Sequence, residues 1–194
     1  YEVELAALGP GAPRFVLNTH FHGDHTGGNV SFGRDGPIVA QENVRRRLIE
    51  PTRRPDREPY PPAPAAALPI VTFRDALSLH WNGEEIVVRH LGPAHTDGDS
   101  IVHFTGSRVA HLGDLFFAGH FPFVDVDSGG DVLGLLRSVE LLLAELPEGT
   151  RVIPGHGPVS TLDDLRAYRD MLVATIGIVR ERRAAGRTLL ETVA

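Results

Sequence analysis

The stretch Asn18-Thr-His-Phe-His-Gly-Asp-His-Thr-Gly-Gly28 decides the fold, and it carries three histidines and an aspartate at His20, His22, Asp24 and His25. It follows Arg14–Asn18, whose apolar and β-branched residues predict a buried strand. A strand that runs into such a cluster presents ligating side chains at the edge of a sheet. A histidine-rich surface loop is the alternative, but three of only 10 histidines in 194 residues fall within this stretch.

The spacing within this stretch predicts two neighbouring metal positions. Side chains two apart on an extended backbone point the same way, so His20 and His22 can converge on one ion. A turn at Gly23 then directs Asp24 and His25 elsewhere, toward a second ion. Neutral imidazole and carboxylate ligands suit zinc, with iron or manganese as alternatives.

The pattern His20-x-His22-x-Asp24-His25 resembles the signature of the metallo-β-lactamase-fold hydrolases, a superfamily that includes glyoxalase II, lactonases, alkylsulfatases and true β-lactamases. The resemblance extends over Phe15 to Gly157, because three later segments match the remaining motifs in the family's order. These segments are Gly92–Ser100, which contains His95, then Leu112-Gly-Asp114, and Ile153-Pro-Gly-His156-Gly157.

The resemblance implies a role for each matching residue. A first metal ion would be held by His20, His22 and His95, a second by Asp24, His25 and His156, and Asp114 would bridge the two. Two zinc ions per chain, roughly 3.5 to 4 Å apart, can share a hydroxide near neutral pH. That hydroxide would attack the ester, thioester, lactone or amide carbonyl of a small molecule, with Asp24 orienting it and accepting its proton.

The bridging carboxylate indicates which branch of the superfamily the chain resembles. Asp114 is typical of the glyoxalase II and lactonase-like relatives, whereas zinc β-lactamases generally lack it. Only one long helix, Thr161 to about Ala185, follows the last motif, which disfavours glyoxalase II itself because its relatives carry a further helical extension. Three alternatives remain open: a β-lactamase, a non-catalytic metal-binding remnant of the family, and an iron-dependent redox relative.

Composition limits the function classes. At 194 residues and 21.1 kDa the chain is expected to form one metallo-β-lactamase-like domain over residues 1–194, with truncation at either end left open. A net charge of −6 argues against nucleic-acid or anionic membrane partners. The absence of cysteine excludes disulfides and thiolate ligands. A soluble protein is expected, and its compartment, cytoplasmic or periplasmic, stays open.

The pattern of elements predicts an αββα sandwich of the α/β class. Tyr1–Leu8 is expected to be the tail of a helix, ended by Gly9-Pro10-Gly11. Relatives place further strands before the first motif, and these are expected to be missing here. The exposed sheet edge that results would favour a homo-oligomer.

Alternating apolar residues predict most of the remaining elements. We expect a helix at Gln41–Ile49, a hairpin turn at Asn82–Gly83 and a capped helix that begins at Thr161. The last of these is expected to carry an apolar stripe of Leu165, Tyr168, Leu172, Thr175 and Val179. The expected strands are Pro37–Ala40, Ile70–Phe73, Ala76–His80, Ile86–His90, Ser100–Phe104, Arg108–Leu112 and Arg151–Ile153, and the helix Asp131–Leu146 should pack an apolar face on a sheet.

Two segments allow more than one interpretation. Pro51–Pro69 has seven prolines and is expected to be an irregular connector rather than a lid, with Arg53, Arg54 and Arg57 in solvent. Phe116–Phe123 could line the substrate pocket, with His120 as its polar group, or belong to the core. Residues expected to be structural or to support the ligands are His80, His90, His103, His111, Trp81, Thr96, Asp97 and Asp99.

Overall fold

The computed structural model describes residues 7, 11, 13–50, 52–54 and 57–193, and it describes the backbone alone at 52–54 and 57–60. The helix tail expected at Tyr1–Leu8 lies outside the described residues except for Ala7, which is helical.

Strands and helices follow the chain with these bounds. The strands are β1 (Val16–Leu17), β2 (Ile38–Gln41), β3 (Thr52–Arg54), β4 (Arg57–Tyr60), β5 (Val71–Phe73), β6 (Ala76–Trp81), β7 (Glu84–His90), β8 (Ser100–Phe104), β9 (Val109–Phe117) and β10 (Arg151–His156). The helices are α1 (Gly23–Thr26), α2 (Asn29–Phe32), α3 (Glu42–Ile49), α4 (Val132–Glu145), α5 (Leu162–Ala184) and α6 (Leu189–Val193), with 3₁₀ turns at Ala65–Ala67 and Val126–Ser128.

The described strands form two sheets that pack face to face, apart from the separate β3–β4 pair. The larger sheet has the order β10-β9-β8-β7-β6, and the smaller has the order β1-β2-β5. Neighbours in the larger sheet are antiparallel except for the parallel pair β9 and β10, and the smaller sheet is parallel. Between the sheets, Val39 and Phe73 pack with Val88 and Val102.

Helices cover the outer face of each sheet. Leu135 and Val139 of α4 and Leu165 of α5 belong to the same buried apolar cluster as Leu112 of β9 and Val152 of β10. On the other side, Val44 of α3 packs with Ala40 of β2 and with Phe21. The resulting order of layers is α, β, β, α, which confirms the predicted sandwich.

Local signals account for several element ends. Asn82 and Gly83 have positive φ angles of 52° and 82°, as in the type I′ turn expected between β6 and β7. Thr161 caps α5 through a complete capping box with Asp164. Gln41 and Asp131 accept hydrogen bonds at the starts of α3 and α4. These three helices begin within one residue of the predicted positions.

The strand predicted at Arg108–Leu112 is wrong at its carboxyl end. Instead of turning at Gly113-Asp114, β9 continues to Phe117, so Asp114 lies inside a strand. The pairing with β10 is irregular here, because Pro154 pairs with Gly113 and the register shifts on both sides of Pro154. A bulge therefore turns the Asp114 side chain without ending the strand.

Two other expectations need correction. Pro51–Pro69 is not wholly irregular, because β3 and β4 pair antiparallel within it; the side chains of Arg53, Arg54 and Arg57 lie outside the description. Along α5 the buried stripe ends at Ile176, whereas the predicted members Thr175 and Val179 are exposed. No helix in the described part of the chain combines the length and apolar character needed to cross a membrane.

The core between α4 and the larger sheet predicts the effect of one truncation. Leu135 is completely buried, so Leu135→Ala should lower the free energy of unfolding by about 2–5 kcal/mol through lost burial and a residual cavity. Leu141, on the same helix, is 40% exposed, so Leu141→Ala should cost less than about 1 kcal/mol. Urea denaturation of both variants measures the difference, and equal losses would contradict this packing.

Candidate metal centre

The histidine-rich stretch is held by a pair of buried amides. The side chains of Asn18 and Asn29 exchange two hydrogen bonds, both of 2.9 Å, and the Asn29 amide also donates to the Ala67 carbonyl at 3.0 Å. Between them, Gly23 does not form the predicted turn but begins the one-turn helix α1. Asp24 and His25 therefore leave the backbone from a helical turn, and the His25 ring lies beside that of His20, with 4.1 Å between the ring centroids.

The structure brings His20, His22, His95 and Asp114 together in one buried cluster, which we call the first cluster. His22 Nδ1 lies 3.2 Å from His20 Nε2 and 2.9 Å from His95 Nε2. The nearer oxygen of Asp114, Oδ2, is 3.3 Å from His95 Nε2 and 3.8 Å from His20 Nε2. Ligands of a tetrahedral zinc ion at its usual bond lengths would be roughly 3.3 Å apart.

Asp24, His25 and His156 form a second cluster, which is more open to solvent. Asp24 Oδ2 lies 3.3 Å from His25 Nε2 and 3.2 Å from His156 Nε2. The side chains of His156 and Asp24 are 45% and 57% exposed, whereas those of His20 and His95 are 1% exposed. A molecule from solvent would therefore reach the centre from the side of the second cluster.

Asp114 lies between the two clusters. Its Oδ1 is 3.1 Å from His25 Nε2, and its Oδ2 is 3.5 Å from His156 Nε2, in addition to the contacts with the first cluster. Gly113 has a φ of 53°, and a side chain there would lie 2.7 Å from Thr19. A side chain at residue 155 would lie 1.9 Å from Asp114 Oδ1, so Gly155 keeps room for the carboxylate.

Several buried groups support the ligands, and sequence reasoning missed the most important one. Asp125 Oδ2 accepts a 2.9 Å hydrogen bond from His22 Nε2, although 103 residues separate the two. The Phe123 carbonyl accepts one of 2.7 Å from His95 Nδ1. Thr19 Oγ1 lies 3.2 Å from His20 Nδ1. Asp125 follows no recognised motif, so only the folded chain identifies it.

The hydrogen-bond acceptors around the first cluster indicate that it fits a cation. His22 Nε2 and His95 Nδ1 each face an acceptor outside the cluster, so in the tautomers that donate to these acceptors the other ring nitrogens turn lone pairs toward each other across the 2.9 Å contact. Asp114 Oδ1 is buried and makes no hydrogen bond within the described residues, because His25 Nε2 is close but misaligned. A metal ion in the first cluster would engage the lone pairs of His22 and His95, and one in the second cluster would give Asp114 Oδ1 a partner.

Electrostatics favours the metal-binding protonation states of the first cluster. Burial, and then the neighbouring histidines, hold the pKa of His20 well below its usual value, and burial also lowers the pKa of His95. Burial opposes ionisation of Asp114, but His25 and its neighbours hold the pKa of this carboxyl below its usual value. Both imidazoles are therefore neutral, and the carboxylate is charged, near neutral pH.

His25 behaves differently from the first cluster. Burial would lower the pKa of its imidazole, but Asp114 and Asp24 raise it above the usual value. Protons and a metal ion therefore compete for His25 as the pH falls.

The remaining histidines lie outside the two clusters, and buried hydrogen bonds hold the turn after His95. None of His80, His90, His103, His111 and His120 joins either cluster in the described residues. His111 Nδ1 accepts from the Gly113 backbone N–H at 3.0 Å, which supports the bulge. Asp99 accepts from the backbone and hydroxyl of Thr96 at 2.7 and 2.6 Å, and burial raises the pKa of Asp99 to about 7.

A cavity of about 410 Å³ opens beside His22 and Asp24. Pro61, Ala63 and Phe123 line it, so both the proline-rich segment and the phenylalanine-rich segment contribute a wall. Phe116 and Phe117 belong to the core, whereas Phe121 and His120 line a different cavity. The two interpretations of Phe116–Phe123 thus each apply to part of that segment.

A sequence model described as the metallo-beta-lactamase superfamily matches residues 1–156. An uncharacterized protein of Aquifex aeolicus (strain VF5) is 30% identical over 155 residues, which cover 79% of this chain and 72% of that protein. A hydroxyacylglutathione hydrolase of Halorhodospira halophila (strain DSM 244 / SL1) is 33% identical over 178 residues, 89% of this chain and 60% of the relative. The chain thus spans less than two thirds of that hydrolase.

Solved structures share the architecture. A metallo-beta-lactamase from Pontibacter korlensis superposes with a TM-score of 0.66 at 20% identity, over 82% of this chain and 69% of that one. BLEG-1, a B3 metallo-beta-lactamase, has a TM-score of 0.66 at 26% identity, over 88% and 81% of the two chains. At 20% identity the first likeness demonstrates the fold alone.

The contact between Asp125 and His22 predicts a change in metal affinity. Asp125→Asn removes the negative charge and leaves one accepting oxygen where the carboxylate uses two, Oδ2 for His22 and Oδ1 for the Ser128 backbone N–H, so zinc affinity should fall about 10–100-fold. Zinc serves as the probe in a competition titration with a chromogenic chelator. Asp127→Asn, an exposed neighbour, is the matched control and should bind zinc as the parent does. Equal affinities of all three proteins would contradict the supporting role.

Proposed function

This chain belongs to the metallo-β-lactamase superfamily, and we propose that it is a zinc-dependent hydrolase that cleaves an ester, thioester, lactone or amide carbonyl in a small molecule, with two zinc ions per chain. Superfamily members are generally hydrolases. The observation that carries the proposal is the contact of one buried carboxylate, Asp114, with imidazoles of both clusters.

The residues divide between holding metal and moving protons. His20, His22 and His95 would hold one ion, Asp24, His25 and His156 the other, and Asp114 would bridge them. Such a pair of ions, when bound, supplies Lewis acidity that activates water and polarises a carbonyl.

Asp24 is the carboxylate suited to accept a proton from the attacking water. Its side chain is 57% exposed, whereas Asp114 is 4% exposed and enclosed by histidines. Asp24 therefore faces the entry side of the centre, within reach of an incoming molecule. His25 and His156 fix its carboxylate through contacts of 3.3 and 3.2 Å, which hold the acceptor oxygen in place.

The relatives favour thioester or ester cleavage over lactam cleavage. The Halorhodospira halophila relative is named for hydrolysis of hydroxyacylglutathione, a thioester. Asp114 would supply the bridging carboxylate that the resemblance implies for that branch. A β-lactamase is the second candidate, supported by the likeness to BLEG-1 at 26% identity. A metal-binding remnant without turnover is the third.

Metal loading provides the first test of the proposal. The metal-free protein should take up two equivalents of zinc per chain, because the two clusters supply separate ligand sets. Each ion that binds only to the folded state should stabilise it by about 2.7 kcal/mol at a free zinc concentration 100-fold above its dissociation constant. Elemental analysis and thermal unfolding with and without chelator measure both effects. Saturation at one equivalent would contradict a two-ion centre.

Turnover provides the second test. The zinc-loaded protein should hydrolyse a hydroxyacyl thioester, an aryl ester or a lactone faster than a chromogenic cephalosporin, as followed by absorbance. Cephalosporin cleavage at the highest kcat/KM would select the β-lactamase alternative. Metal uptake without turnover of any substrate would select the non-catalytic alternative and reject the proposal.

Asp24→Asn tests the proton acceptor. The amide cannot accept the proton, so kcat should fall about 10²–10⁴-fold. Asp35→Asn, which changes an exposed carboxylate outside both clusters, is the control and should retain kcat. Zinc content measured on the same samples separates lost chemistry from lost metal. Full activity of the Asp24→Asn protein would remove Asp24 from the mechanism.

A further inference from the structure

We infer that the 410 Å³ cavity beside the metal clusters selects a neutral, apolar substituent of the substrate, and that Phe123 determines this specificity. The inference rests on the proposed hydrolase function and adds the chemical class of the group bound next to the reacting carbonyl. Metal ligands fix where the carbonyl lies, whereas the cavity wall decides what may be attached to it.

The position of the cavity links it to the reaction. His22 and Asp24, one ligand from each cluster, form part of its lining. A group attached to a carbonyl at the metal centre can therefore extend directly into this space. The volume is at the lower end of the range for small-molecule sites, which suits a short chain or a single ring.

The other walls are mainly apolar. They come from four segments of the chain, and a 2.8 Å hydrogen bond from the Ala63 backbone N–H to the Leu48 carbonyl joins two of them. This hydrogen bond fixes the positions of two cavity walls relative to each other. The apolar lining residues are Phe21, Leu48, Pro61, Ala63 and Phe123.

The charges on the cavity wall disfavour an anionic substituent. Arg47 contributes to the lining, but its guanidinium makes two hydrogen bonds to Asp97, of 2.6 and 2.8 Å, and lies 5.4 Å above the ring of Phe21. The same carboxylate also accepts a 2.9 Å hydrogen bond from Arg46, so the Arg47 guanidinium is held on Asp97 rather than free to bind a substrate anion. Of the two acidic lining residues, Asp24 would be a metal ligand, which leaves Glu50 to repel a carboxylate.

Phe123 presents its ring at the mouth of this cavity. Its backbone carbonyl holds His95, and its ring centroid lies 5.9 Å from that of His95 and 6.2 Å from that of His22. Even so, the residue is 52% exposed. The Phe123 ring is large, apolar and about half exposed beside the metal ligands. Its exposed apolar surface becomes buried when an apolar group of the substrate packs against it.

A second cavity offers the natural control. Phe121 is 71% exposed and lines a cavity of about 920 Å³ with Tyr168 and Met171 of α5. That cavity has no member of either cluster in its lining. Phe121 and Phe123 are therefore two exposed phenylalanines of the same segment, of which only Phe123 contacts the space beside the ligands.

Two substrate series test the inference with the zinc-loaded protein. The acyl series consists of 4-nitrophenyl acetate, butyrate and hexanoate, with the adipate monoester as an anionic analogue of hexanoate. The leaving-group series consists of S-ethyl and S-hexyl thioacetate. In the series whose variable group enters the cavity, kcat/KM should rise by up to roughly fourfold per methylene. Adipate should be at least tenfold poorer than hexanoate, an order-of-magnitude expectation from the acidic lining.

Phe123→Ala should reduce the preference for the longest over the shortest neutral group by about tenfold. Its backbone carbonyl, and with it the contact to His95, is retained, so zinc content should not change. Phe121→Ala should keep the preference of the parent protein. A flat profile in both series, preference for adipate, or equal effects of the two variants would overturn the inference.

Binding separates failure of the inference from failure of the proposed function. Calorimetric titration of the zinc-loaded protein with acetate, hexanoate and adipate requires no turnover. Tighter binding of hexanoate that is lost in Phe123→Ala would support the apolar cavity even if no substrate were cleaved. Turnover of esters or thioesters with no discrimination in either measurement would retain the hydrolase and reject the cavity's role.

Discussion

The structure depends on one carboxylate that must reach two groups of imidazoles at once. Asp114 lies within 3.8 Å of ring nitrogens from both clusters, and these nitrogens come from segments far apart in the chain. Mutual repulsion of lone pairs and the loss of hydration make this convergence unfavourable without a cation. The protein must therefore impose it through the surrounding backbone, and the register shift between β9 and β10 occurs where it does so.

The layered architecture supplies the rigidity for that task. Strands β9 and β10 pair in parallel beneath α4 and α5, and these elements contribute to the largest buried apolar cluster among the described residues. The bulge at Gly113 turns Asp114 toward the ligands, and Gly155 on the neighbouring strand leaves space for its oxygen. The metal centre thus lies at the edge of the most constrained pair of strands, as precise ligand placement requires.

Sequence alone predicted the layered fold and the residues that meet at the centre, because ligand spacing and apolar periodicity are local signals. The continuation of β9 past Asp114 was not predictable, since Gly-Asp after an apolar run is also typical of a turn. Asp125 was missed because its role depends on a contact across 103 residues. The buried residues of α5 differ from the predicted stripe near its carboxyl end, because burial depends on the neighbouring sheet. Ile176 packs there instead of Thr175. Whether each ligand binds metal stays a prediction.

The unequal burial of the two clusters bears on how the protein would acquire and keep its ions. His20 and His95 are buried, so an ion bound to them could leave only when the loops that carry these residues open. His156 and Asp24 stand in solvent, so their ion could be exchanged without such opening. The ion of the first cluster would then exchange slowly and the ion of the second cluster rapidly. A change in the supply of metal in the cell would therefore alter the occupancy of the second cluster first.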